Sequence, residues 1–329
     1  MRATIREVAR QAGVSPSTVS RALSTPDMVN PATRERVLRA AQRLGYAPNR
    51  AARGLITGRT GNLGLIVPDL ANPFFPSVVK GVQAKAREAD YALFLADTDE
   101  DPSVEAGLVQ VLAKQVDGLI LCCPRAPEEE IRALSDSTTL VMVNRRIHNV
   151  PSVVFDNADG MRQAVAHLQA LGHHRVAWVG GPRTSWSTRE RIRGLRAATA
   201  AAGMELLVTG HFPPQFEGGV AAADLVIASG VTSVIAYNDV MALGLLSRLR
   251  DRGMHVPGDI SVVGIDDIPM SSMSSPALTT VSLTKEQLGR ASVDLLLSLL
   301  EHPEGVRKVR RELPTQLLVR ASTGIAQTN

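Results

Sequence analysis

The chain has 329 residues, 44% of them hydrophobic and 21% charged, which is too long for one ordinary domain and too apolar for a disordered chain. Aromatic residues make up only 3%, which argues against base-stacking platforms as the main means of holding a nucleic acid. No apolar run approaches the roughly 18 residues of a membrane-spanning helix, and the start, MRATIREVARQAG, lacks the apolar stretch of a signal peptide. Cys122 and Cys123 are adjacent in an apolar run, so they read as part of a buried strand and not as a disulfide framework. A reducing cytoplasm is the expected location. The net charge of +4 hides an asymmetry: residues 1–60 hold eleven arginines against Glu7, Asp27 and Glu35, a net of +8. That end points to a polyanionic partner, or to an ordinary solvated basic surface; charge alone does not choose.

The first helix is announced by Thr4-Ile5-Arg6-Glu7, in which Thr4 can cap and Glu7 can reach back to its amide. Ile5, Val8, Ala9 and Ala12 then fall at the spacing of one apolar helix face. Gly13 suits a tight turn. Ser15-Pro16 starts a second helix that buries Val19, Ala22 and Leu23 and leaves Pro16, Ser17, Ser20 and Arg21 outward. Asn30-Pro31 starts a third, with Val37, Ala40, Ala41 and Leu44 as its stripe. Three short helices around one small core, the first two joined by a tight turn, make a helix-turn-helix unit.

TIREVARQAGVSPSTVSRAL, continued by TRERVLRAAQRLGYAPN and NRAARGL, resembles the N-terminal signature of the lactose-repressor (LacI/GalR) family. The resemblance implies that the second helix lies in the major groove with Pro16, Ser17 and Arg21 toward base edges. An arginine there can make two parallel hydrogen bonds to a guanine, worth about 1–3 kcal/mol of discrimination. Thr4, Ser15, Thr18, Ser20 and Asn30 are then placed for phosphates, which position without specifying. Residues 49–56 resemble the family's hinge helix, with Leu55 as the wedge that opens the central base step and Ala52 beside it. Gly54 departs from the expected polar residue and weakens that helix by up to about 1 kcal/mol relative to alanine. A flexible linker is the alternative reading.

From Gly61 onward, the apolar runs LGLIV, YALFLA, GLILCC, TLVMVN, RVAWVG, SVIAY and SVVGID read as strands. Helix-like stretches such as Ser77–Ala89, Ala158–Leu171, Arg189–Ala202 and Asp239–Arg252 lie between them. Short buried strands alternating with helices indicate parallel sheets covered on both faces. The resemblance, which extends over nearly the whole chain, favours two lobes like those of periplasmic sugar-binding proteins. It implies three chain crossings near Asn157, Leu283 and Leu313. The expected fold is thus an all-α headpiece (1–48), a hinge helix and linker (49–60), and a two-lobed α/β core (61–329) with two doubly wound parallel sheets. Lobe 1 is expected over about 61–157 and 284–312, and lobe 2 over about 158–283 and 313–325.

Ligands of open parallel sheets bind beyond the carboxyl ends of the strands. Asp69, Phe74-Phe75, Asn144-Arg145, Asp156, Trp186, Arg191, Asn238-Asp239 and Asp266 all follow strand-like runs. The resemblance implies effector contacts at Phe74, Phe75, Arg145, Asp156, Ser185, Ser187, Arg191, Phe212, Asn238 and Asp266. Their chemistry suits a polyol: carboxylates and amides take paired hydroxyls, and aromatic faces cover the apolar side of a ring. Arg191 is equally able to clamp a carboxylate or phosphate. Asp69 and Asp239 can instead cap helices, and Phe74 can be core.

No Walker A loop, HExxH, GxSxG or dinucleotide fingerprint occurs, so an enzyme is not expected, and no cofactor. His173-His174 lack nearby further ligands and are expected in the turn before a strand, without a metal. The family implies a bacterial repressor of carbohydrate-uptake or catabolic genes, binding a pseudo-palindromic operator as a homodimer and released by a sugar-like effector. A regulator that binds DNA only with its ligand is the alternative, and a stand-alone sugar-binding protein the more distant one. After the last strand only ASTGIAQTN remains, without leucine heptads for a tetramer.

Overall fold

A computed structural model describes residues 3–24, 26–46, 58–302 and 309–327. The chain divides into two units, Met1–Gly61 and Asn62–Asn329. In the first, α1 (Ile5–Ala12), α2 (Pro16–Ser24) and α3 (Pro31–Arg43) surround a core of Val8, Ala9, Ala12, Val19, Ala22, Val37, Ala40 and Ala41. The starts obey the sequence signals. The Glu7 N–H donates to Thr4 Oγ1 at 3.4 Å while the Thr4 N–H donates to the Glu7 carboxylate at 2.7 Å. Such a cap is worth about 0.5–2 kcal/mol. Ser15 Oγ accepts from the Thr18 N–H, and Asn30 Oδ1 accepts from the Ala32 N–H. Gly13 ends α1 with φ +63°, a left-handed backbone that a side chain would strain.

In the second unit the described strands form two sheets. One runs in the order β11 (Arg310–Leu313), β5 (Ser152–Phe155), β4 (Leu140–Val143), β3 (Gly118–Cys122), β1 (Asn62–Val67), β2 (Ala92–Asp97). The other runs β12 (Thr315–Leu318), β10 (Thr279–Leu283), β9 (Ser261–Asp266), β8 (Ser233–Ala236), β6 (Arg175–Gly180), β7 (Glu205–His211). All pairings are parallel except β10 with β12. The central strands β3, β4 and β8 are buried along their whole length, as strands covered on both faces must be. The YALFLA run instead becomes the edge strand β2, half-exposed.

The chain leaves the first sheet after Phe155 and begins α7 (Asn157–Ala170), which packs on α8 (Trp186–Ala202) beside the second sheet. It returns after Leu283 into α12 (Lys285–Glu301), which packs on α4 (Phe74–Glu88). Between β11 and β12 it crosses once more, at position 314. Of the remaining helices, α5 (Pro102–Leu112) packs on α6 (Glu128–Ser137) beside the first sheet, and α9 (Phe216–Ala228) packs on α10 (Asp239–Asp251) beside the second. The short α11 (Pro269–Met273) follows β9. The α4–α12 crossing depends on small residues. A Cβ at Gly81 would stand 2.1 Å from the Glu286 carbonyl oxygen, and one at Gly289 would stand 2.3 Å from that of Val78.

Two helices start earlier than expected. α4 begins at Phe74 because Asn72 Oδ1 takes the Phe74 N–H at 3.0 Å, and α8 begins at Trp186 because Ser185 caps it. His173 lies in the turn before β6, buried between Thr232 and Ser261. Among the described residues no helix is long and apolar enough to cross a membrane.

Candidate functional site

Two regions carry the predicted site residues. On the helical unit, Pro16, Ser17 and Arg21 are exposed along α2, and Ser20 is half-buried beside them. Ser15, expected on a phosphate, also organises the start of that helix. Its hydroxyl is hydrogen-bonded to those of Ser17 at 2.7 Å and Thr18 at 2.8 Å. Thr4 and Asn30 are likewise exposed caps. Ala52 and Leu55 lie outside the described residues.

The second region is a narrow cleft where the carboxyl ends of the two sheets face each other. The first lobe contributes Phe74 and Phe75 in edge-to-face contact (5.1 Å), with Asn72, Glu100, Cys123, Arg125 and Asn144. The second contributes Arg191, Pro214, Tyr237, Asn238 and Asp266. A roomier hollow near Thr139, Leu140 and Pro151 lies at the amino ends of β4 and β5, the wrong end of a parallel sheet for a ligand.

Each cleft side chain is held by its own neighbours. Arg191 donates from Nε to Asn157 Oδ1 at 3.1 Å and from Nη1 to the Tyr237 carbonyl. Its guanidinium lies 4.9 Å from the centre of the Tyr237 ring. Asn238 caps α10 by accepting the Met241 N–H, and its Nδ2 donates to the Pro214 carbonyl. Arg125 and Glu100 form a two-pronged pair at 2.8 and 3.0 Å. The backbone N–H groups of Arg125 and Ala126 donate to the buried Glu105. Burial pushes the Glu105 carboxyl up despite those bonds.

Asp266 is buried and sits in a left-handed backbone conformation, φ 119°. Arg191 Nη2 stands 3.7 Å from its carboxylate, yet burial dominates and pushes the carboxyl up to about 8. The contact is long, the guanidinium is already engaged by Asn157 and Tyr237, and Asp239 adds a like charge. Burial thus favours the protonated form of Asp266, in which it can donate as well as accept. Asp239 accepts from the Ile268 N–H and the Ser271 and Thr280 hydroxyls, and burial raises it too. It braces β10 against the loop and α11 that follow β9, and is not the helix cap; Asn238 is.

Five of the ten predicted effector residues line this cleft: Phe74, Phe75, Arg191, Asn238 and Asp266. Phe74 serves the core as well, at 3% exposure. The other five are engaged elsewhere. Arg145 donates to the carbonyls of Pro124 and Ala126, fastening the loop that carries Arg125. Asp156 caps α7 through the Asp159 N–H. Ser185 caps α8 and bonds the Tyr237 hydroxyl at 3.0 Å. Ser187 is buried in the first turn of α8, and Phe212 packs half-buried against the core. Glu100, Cys123, Arg125 and Tyr237 were not expected at the site. All four follow strands at the carboxyl ends, the signal that would have found them.

The helical unit and the lobed unit each match a known family model. Residues 4–49 match bacterial regulatory proteins, lacI family, and residues 165–323 match the periplasmic binding protein-like domain. The chain is similar to the HTH-type transcriptional repressor PurR of Photobacterium profundum, 33% identical, covering 97% of this chain and 98% of that one. It is similar in structure to a complex of the transcriptional regulator CelR with cellobiose (TM-score 0.74, 34% identity, 98% of this chain and 100% of that chain). It is also similar to the Lac repressor dimer bound to operator and the anti-inducer ONPF (TM-score 0.86, 29% identity, 98% and 100%). With both of its units and nearly its full length matched, the chain belongs to the lacI family of bacterial regulatory proteins.

Proposed function

We propose that this family member is a cytoplasmic, nucleoid-associated repressor of carbohydrate-uptake or catabolic genes. It binds a pseudo-palindromic operator as a homodimer and is released by a small sugar-like ligand held between its lobes. The observation that carries the reading is one chain holding both parts: an exposed basic helix-turn-helix, and a cleft where a buried carboxyl, amides, guanidinium groups and aromatic rings converge. Neutral hydrogen-bonding groups that both donate and accept, set beside aromatic faces, suit a polyol. Cellobiose in the CelR complex supports the ligand class, and the operator-bound Lac repressor dimer supports the assembly.

In this reading residues 1–48 bind DNA, with Arg21 reading a base, and 49–60 form the hinge with Leu55 as wedge. Residues 61–329 bind the ligand and pair the subunits. Two headpieces meet two half-sites, matching protein symmetry to operator symmetry. Ligand closure rotates one lobe on the other and changes the spacing of the hinges. The test is fluorescence-anisotropy titration on the gene's own upstream DNA against scrambled DNA, with and without a panel of sugars. Tight binding to the upstream DNA, released by one sugar, is expected. Tightening by a sugar would replace induction with corepression; binding that ignores every sugar would remove the ligand class.

A further inference from the structure

Two thiols lie where the cleft meets the first sheet, and the proposed function assigns neither of them a role. Cys122 ends β3, packed in the core at 2% exposure, while Cys123 lines the cleft at 6%. Successive strand residues face opposite ways, but Cys123 leaves the strand with φ +50°. The turn brings the two Sγ atoms within 4.0 Å, with Cys122 as donor. Asn144 Nδ2 donates to the same Cys123 sulfur at 3.6 Å. Asn144 Oδ1 is buried at the cleft with no hydrogen-bond partner, so this corner has an acceptor to offer an incoming O–H.

The surroundings divide the labour between the thiols. The Cys122 S–H, and then the Arg125 guanidinium and the Asn144 amide, hold the Cys123 thiol below the usual thiol range against the cost of burial. Cys122, whose proton is shared with its neighbour inside the core, is pushed well up. A thiolate is the attacking species, and a sulfenic acid with a second thiol within reach condenses to a disulfide.

We propose that Cys123 and Cys122 form a peroxide-oxidisable dithiol in the cleft, with Cys123 reacting first and Cys122 resolving it. In the first step the Cys123 sulfur attacks one oxygen of hydrogen peroxide and the O–O bond breaks. Cys123 becomes a sulfenic acid, and the other oxygen leaves as water with the thiol proton. In the second step the Cys122 sulfur attacks the sulfenic sulfur and the S–O bond breaks. The hydroxyl leaves as water with the Cys122 proton. Two thiols are oxidised to one disulfide, and one peroxide is reduced to two waters. The disulfide takes the sulfur from Asn144 and pulls on the 123–126 loop that carries Arg125. This site stands independently of the operator and ligand reading.

The experiment is intact-mass analysis of the full chain, native, after hydrogen peroxide and a thiol-blocking reagent. The wild type is expected to lose the mass of two hydrogens, take up no blocking reagent, and revert with dithiothreitol. Cys122→Ser is expected to stop at a sulfenic acid captured by dimedone. Cys123→Ser is expected to react more slowly by about tenfold or more, because its remaining thiol, Cys122, is packed in the core at 2% exposure and does not line the cleft. A native wild type left unchanged by peroxide that oxidises the urea-unfolded chain overturns the proposal. So does Cys123→Ser reacting as fast as wild type, or a disulfide that joins two chains on a non-reducing gel. The wild-type arm needs no variant, so a substitution that failed to fold leaves the test intact.

Discussion

Asp266→Asn removes one titration from the folded chain while nearly preserving its shape. Burial pushes the Asp266 carboxyl up to about 8 from an ordinary 3.8. A raised value means that the fold favours the protonated form. The contribution to stability is fully present below the ordinary carboxylate range and is lost as pH rises through about 8. Each pH unit across that gap is worth about 1.4 kcal/mol, so crossing it costs at most about 6 kcal/mol. The residue is only 5% exposed, so water screens little of this cost. The assay is urea unfolding of wild type and variant from about pH 4 to about pH 9 at constant ionic strength. Trp178 on β6 and Trp186 at the start of α8, both buried, are the fluorescent reporters. The two proteins should be nearly equal at the acid end. The variant should gain on the wild type through neutral pH and level off above about pH 8. Groups that do not interact with Asp266 cancel in the difference. A difference that stays constant with pH refutes the burial argument, and one that favours the wild type at high pH also restores the Arg191 contact as a true ion pair.

Arg21→Ala should cost about 1–3 kcal/mol of operator discrimination and keep salt-sensitive non-specific binding. Anisotropy on operator and scrambled DNA at two salt concentrations measures both. Leu55→Ala should reduce the bend of the operator, read by the mobility of circularly permuted fragments; an unchanged bend angle sinks the wedge assignment. Gly81→Ala places a methyl 2.1 Å from the Glu286 carbonyl oxygen and must push α4 from α12. That should cost about 1–3 kcal/mol in urea unfolding, and a neutral result would show that this helix crossing is soft.

Local signals in the sequence carried the helix starts. Thr4 with Glu7, Ser15-Pro16 and Asn30-Pro31 satisfy backbone donors within three residues, so nothing distant can override them. Long apolar runs such as GLILC and SVVGID were equally plain, because strands covered on both faces need little alternation. The edge strand β7 was not legible: its burial is mixed, and only its pairing with β6 makes it a strand. The site was half legible for a related reason. Strand ends mark where ligands bind, but not which polar group there is already used. Arg145 and Asp156 look like Arg191 and Asn238 in sequence and are bonded just as fully, Arg145 to the carbonyls of Pro124 and Ala126 and Asp156 to the start of α7, yet only Arg191 and Asn238 line the cleft. Arg125 sits three residues past β3, where the strand-end rule reaches it, but its pairing with Glu100, 25 residues away, is not written in the local sequence.

The same bonds explain why a ligand in this cleft can act on the lobes at all. Asn157, which accepts from Arg191, also donates from Nδ2 to the carbonyl of Phe155, the last residue of β5 before the first crossing. The second crossing enters α12 at Lys285, whose ammonium donates to the carbonyls of Asp266 and Asp267. The third is bound to the first: the Asp156 N–H donates to the Leu313 carbonyl, and the Thr315 hydroxyl to that of Asp156. Cleft groups and crossings are therefore successive links of short hydrogen-bonded chains, one through Arg191 and one through Asp266. A hydroxyl that draws the Arg191 side chain toward itself would re-aim its bond to Asn157, beside the first crossing, whereas Asp266 meets the second crossing through its backbone carbonyl. A ligand seated on Phe74 and Phe75 alone would leave those bonds as they are. It could bind tightly and still shift nothing, because coupling is limited to the difference in ligand affinity between the two arrangements. On the proposed function, the aromatic wall of Phe74 and Phe75 would supply affinity, and Arg191, bonded beside the first crossing, the coupling to the lobes.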